Sequence, residues 1–208
     1  MKNILIEDAG LSDDFSPQYL SSSENIQLVK SKIASIADED VRTDAFIYFP
    51  EALIAAKQWD EAESALDFPK DVLELAPHSL AHSVLGVAKA FLDQGWNQRA
   101  YRLAERVLVI AEMINVDNAW EKAEVLNEAG SIFFATGHPQ KALETRLYAG
   151  DVAAKEQNAD IDCSSVMYSI TWDLAKNGEF EAARRVAASI RNSVRRQSAF
   201  YIIKKEEH

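Results

Sequence analysis

The sequence predicts an all-α fold, a stack of antiparallel helical hairpins, and three observations carry that expectation. Seven Gly and five Pro in 208 residues are fewer than a fold of many strands and tight turns would need. Apolar residues advance by threes and fours through the middle of the chain, the spacing of one helical stripe. One short pattern, a break followed five positions later by Ala, recurs four times, at Lys57 to Ala62, Gly95 to Ala100, Gly137 to Ala142 and Gly178 to Ala183. Its alanines are 38, 42 and 41 residues apart. A period near forty with two helical runs in each unit is the mark of stacked hairpins.

In chain order, residues 1–23, with Gly10, Pro17 and the Ser21-Ser22-Ser23 run, are expected to form an irregular or disordered arm, and 24–208 a single helical-repeat domain. Met1 to Ala9 lack the apolar region and cleavage site of a secretory signal. Ala34-Ser35-Ile36, Arg42, Ala45 and Phe46 share their spacing with Ala188-Ser189-Ile190, Arg196, Ala199 and Phe200, six identities in thirteen positions. Residues 26–37 therefore read as a second helix lacking its first, and 194–205 as a first helix lacking its second. Half-repeats at both ends are how terminal caps arise. Pro50 falls inside a helix expected from Arg42 to Lys57, where it removes a hydrogen bond and predicts a kink between Phe46 and Pro50.

Next comes a helix carrying Leu80, Val84, Leu85, Ala88, Phe91 and Leu92, then, past Gly95, one carrying Leu103, Ala104, Val107, Leu108, Ala111 and Ile114. Trp120, Ala123, Leu126, Gly130, Phe133 and Phe134 define the next first helix, and Ala142, Leu143, Leu147 and Ala149 its partner. Pro139 suits a first helical turn, and each Gly suits the positive φ that ends a helix.

Net charge is −11 and unevenly spread. Residues 1–75 hold six basic against sixteen acidic side chains, 76–178 nine against thirteen, and 179–208 seven against four. The acidic bulk argues against nucleic acid as a partner. No run approaches eighteen apolar residues, so no membrane partner is expected. A single cysteine, Cys163, excludes an intramolecular disulfide, and a cytoplasmic location is the expectation.

These spacings resemble the tetratricopeptide repeat family. There a small residue of the first helix packs on an Ala of the second, twelve positions later, with a Gly at the turn. Ala88 with Ala100 and Gly130 with Ala142 fit, Thr171 with Ala183 fits loosely, and Pro50 with Ala62 departs. The repeat is longer than the family's usual 34 residues and lacks its terminal Pro. The resemblance, over about residues 26–205, implies a right-handed superhelix whose concave side, lined mainly by first helices, holds a peptide or helix of another protein.

No glycine-rich phosphate loop, nucleophile elbow, paired-cysteine zinc pattern or His-Glu-x-x-His helix is present, so neither catalytic residues nor a cofactor are expected. His78 and His82 stand four apart on a helix and could both reach one metal ion, but no third ligand is evident nearby. They are read as solvent-facing or lightly packed. Asp38-Glu39-Asp40 and Asp160-Ile161-Asp162 lack a calcium loop and suit helix N-caps. Of Trp59, Trp96, Trp120, Trp172, Phe133, Phe134, Tyr148 and Tyr168, most are expected to wedge hairpins together and one or two to face a partner.

Arg102, Asn127 and Arg146 are the expected polar positions of the groove. Arg184, Arg191 and Arg195 share a face if their helix is continuous, and an Arg fork suits carboxylates. Two functions follow: a non-catalytic binding module, or a homo-oligomer assembled through the terminal helices by Ala199, Phe200, Ile202 and Ile203. An enzyme with a site drawn from several repeats is the third reading.

Overall fold

The computed structural model describes residues 10–156 and 163–208, and Met1 to Ala9 and the Asp160-Ile161-Asp162 segment lie outside them. No strand occurs among the described residues. Residues 10–22 run through turns into a short 3-10 turn, Tyr19–Ser21, and bury Leu11 and Leu20. The helices that follow are α1 (Ser23–Ser35), α2 (Glu39–Ala55), α3 (Trp59–Ser64), α4 (Lys70–Leu75), α5 (Pro77–Asp93), α6 (Asn97–Ala111), α7 (Ala119–Ala135), α8 (Pro139–Lys155), α9 (Ser164–Lys176), α10 (Phe180–Ala188) and α11 (Ser193–Glu206).

Local signals set these boundaries. Ser22, Asp38 and Asn192 cap α1, α2 and α11 by accepting the N–H three residues on. Glu39 and Asp40 in the first turn of α2 favour its dipole. Pro77 and Pro139 open α5 and α8, where a missing N–H has no consequence.

The four hairpin turns share one hydrogen-bond pattern. Gln58, Trp96, His138 and Glu179 donate to the carbonyls of Leu53, Phe91, Phe133 and Leu174 at 2.8–2.9 Å, and the residue before each donates to the carbonyl three back. This is the Schellman closure, which needs a left-handed residue just past the helix. Gly95, Gly137 and Gly178 supply it at φ 74°, 86° and 80°, and Lys57 adopts φ 59° at the fourth.

The first repeat departs from the others in two ways. Pro50 is buried inside α2, which runs unbroken through it from Glu39 to Ala55. The second arm is split into α3 and α4, with Pro69 opening the second piece; proline lacks an N–H and drives the residue before it from the helical region.

Hairpins α5–α6, α7–α8 and α9–α10 each pack closely. Ala88, Ala100, Ala142, Thr171 and Ala183 are fully buried. A Cβ on Gly130 would lie 3.4 Å from the Ala142 carbonyl oxygen, so the small-residue seam expected there is real. The first helices also pack edge to edge, α2 on α5, α5 on α7, α7 on α9 and α9 on α11, whereas among the second helices the close pairing is α8 on α10. The first helices therefore form the more continuous of the two layers, and their solvent side is termed the inner face. The result is an all-α superhelical stack.

Candidate partner-binding face

The inner face is built by α5, α7, α9 and α11. On α5, His82 and Lys89 reach α7, where they meet Glu124 and Glu128, while Ser83 donates to the Ile47 carbonyl of α2. At 100° per residue Gly86 projects between these two directions, at the centre of the helix's open side. It is exposed, and a Cβ built there would touch nothing within 4 Å. No packing requirement accounts for a glycine in mid-helix, where it lowers stability.

Further along, α7 and α9 are joined beneath the surface. Asn127 donates to Asp173 at 2.9 Å and Arg146, from α8, donates to Ser131 of α7 at 3.0 Å. Burial pushes the Arg146 guanidinium below its usual range, and the charge of Asp173 opposes this. Between α9 and α11 lies an open cleft lined by Tyr168, Trp172, Tyr201 and Lys205. Trp172 and Tyr201 are exposed there, and Lys176 lies 5.0 Å from the Trp172 ring.

Several sequence expectations change on this geometry. Asn127 and Arg146 are buried at 7% and 3% exposure, so they brace the floor of the face and do not line it. The cause is Gly130, whose missing side chain lets Arg146 fold inward; a Cβ would approach its Cγ to 2.9 Å. Arg102 sits on α6, a second helix, 3.7 Å from Glu63 and away from the inner face. Arg184, Arg191 and Arg195 do not share a helix face, because α10 ends at Ala188 and α11 begins at Ser193. Arg184 pairs with Glu181 and Glu207, Arg191 donates to the Glu156 carbonyl, and Arg195 is exposed on α11.

The terminal helix also changes the self-association reading. Ala199, Ile202 and Ile203 are buried within the chain, and only Phe200 of the four expected contact residues is exposed. Trp59 and Trp96 pack edge to face at 5.5 Å across consecutive turns, as wedges. Trp120, Phe134, Tyr148 and Trp172 are exposed. Gly86, Glu124, Asp173 and Tyr201 are not among the residues that the sequence singles out. The isolated mid-helix Gly was the one available signal among them.

No protein-family model and no curated protein matches the chain. Among solved structures it is similar to nearly identical TPR-like repeats from a Podosopora anserina protein assigned as a kinesin light chain, at 18% identity, with 92% of this chain and 96% of that one covered and a TM-score of 0.51. A single-substitution variant of the same repeats aligns at 16% identity over 96% and 95% of the two chains, TM-score 0.47. No helix among the described residues is long and apolar enough to cross a membrane. With its repeated helices, shared turn closure and inner layer of first helices, the chain has the fold of the tetratricopeptide-like helical repeats.

Proposed function

We propose that this chain is a non-catalytic binding module that holds an extended or helical segment of another protein along the inner face of α5, α7, α9 and α11. The observation that carries this reading is Gly86. A residue that weakens its helix and packs against nothing is suited to let a partner's backbone come close. The exposed rings of Trp172 and Tyr201 add rigid, partly apolar contact area on the same layer of helices, the kind of anchor that dominates interfaces. Groove capture is a general mode for amphipathic segments.

The test is affinity capture from native cell extract at moderate salt, comparing the wild-type chain with Gly86→Arg and with Trp172→Ala/Tyr201→Ala. A stoichiometric protein bound by the wild type and lost from both variants supports the reading. No such protein, or one retained by both variants, defeats it.

A further inference from the structure

We propose that His78, His82 and Glu124 form a zinc site that joins α5 to α7 on the inner face. His78 and His82 lie one helical turn apart, which places both imidazoles on the same side of α5. Glu124 comes from the next hairpin, 46 residues beyond His78, and is the third ligand that local spacing did not reveal.

The three ligand atoms already have the spacing of a metal's coordination shell. His78 Nε2 and His82 Nε2 are 3.0 Å apart, and Glu124 Oε2 lies 3.3 Å from the first and 3.5 Å from the second. Bonds of about 2.0–2.2 Å to a tetrahedral zinc put neighbouring ligand atoms about 3.3–3.5 Å apart. The triangle therefore matches one face of that tetrahedron to within a few tenths of an ångström. Among the described residues this is the one group of three or more His, Cys, Asp or Glu side chains whose ligand atoms converge in this way.

Hydrogen bonding alone holds the triangle only where protons are placed to suit the carboxylate. If one Nε2 carries a proton, the other Nε2 and the carboxylate oxygen are both acceptors turned toward each other. If both nitrogens carry protons, the two N–H groups, 3.0 Å apart at nitrogen, must share the one carboxylate oxygen as acceptor. A cation at the centre meets all three lone pairs at once.

The remaining geometry suits an open site. The side chains of His78, His82 and Glu124 are 23%, 35% and 41% exposed, so the fourth position faces solvent. Trp120 stands edge-on to His78 at 5.7 Å, which fixes that ring on one side. Two imidazoles and a carboxylate suit zinc and its borderline neighbours and not calcium or magnesium, which prefer oxygen alone. The bound ion would tie two hairpins together on the face where Gly86 lies.

Equilibrium dialysis of the tag-free chain against zinc chloride tests this, with His82→Gln and Glu124→Gln in parallel and circular dichroism to verify their helicity. The wild type is expected to take up one zinc per chain. Each variant is expected to bind at least about a hundredfold more weakly, beyond what loss of a group behind a ligand causes. Cobalt(II) provides a second readout, since four-coordinate cobalt gives strong visible bands and six-coordinate cobalt weak ones. Failure of the wild type to take up zinc, equal uptake by both variants, or only six-coordinate cobalt would overturn the site.

Discussion

Asn127 on α7 donates its side-chain amide to Asp173 on α9 at 2.9 Å, and the charge of Asp173 also acts on the buried guanidinium of Arg146. Among the described residues, Arg146 Nε and Nη1 and Asn127 Oδ1 are buried without a hydrogen-bond partner. One carboxylate thus supports two buried polar groups, and their costs are coupled.

Asp173→Ala is therefore expected to destabilise the fold by about 2–3 kcal/mol, since removing one partner leaves a buried charge uncompensated. Replacing Arg146 by Met as well should recover much of that loss. Chemical denaturation of the two single variants and the double variant checks this, and simple additivity would contradict it.

Gly130→Ala places a methyl group 2.9 Å from Arg146 Cγ, on a side chain too enclosed to swing away. The expected cost is about 1–3 kcal/mol, that of overpacking a core. Gly86→Ala meets nothing and is expected to stabilise by about 1 kcal/mol. Thermal melts of the pair should move in opposite directions.

Lys57→Gly should raise stability by about 1 kcal/mol. Lys57 adopts φ 59° where the other three hairpin turns place Gly, and a left-handed non-Gly residue is strained. For a chain of this size that gain is a rise of about 2–4 °C in Tm. An unchanged or lower Tm would mean that the lysine side chain contributes more than the strain removes.

Glu112 accepts from Lys122 at 2.8 Å and from Tyr148 at 3.0 Å, tying the end of α6 to α7 and α8. The Lys122 hydrogen bond is the main cause that holds its carboxyl below the ordinary range, with burial opposing and Tyr148 assisting. A folded value below the unfolded one makes the contribution present above the unfolded pKa, about 4.3. It is lost as pH falls through the depressed folded value. Because Glu112 is largely exposed, the effect should stay below about 1 kcal/mol. The Tm difference between wild type and Glu112→Gln should be widest near neutral pH and close on acidification below about pH 4.3. A difference that widens there would contradict the pairing.

The helices and turns were legible in the sequence because their causes are local. Leu103, Val107 and Ala111 mark a stripe by spacing alone, and Gly95, Gly137 and Gly178 mark closures that only a left-handed residue can make. Asp38 announces a cap within four residues. Pro69 also stood in the sequence as the local cause of the split second arm. Tertiary structure alone decided which polar side chains meet. Asn127 and Arg146 looked like groove residues by helical spacing, yet a glycine sixteen positions before Arg146 lets that arginine fold into the core. Glu124 lies more than forty residues from His78 and His82, so the triangle they form depends on how α5 packs on α7. Periodicity records which side of a helix is apolar; it carries no information about which neighbour's polar atoms face that side once hairpins stack.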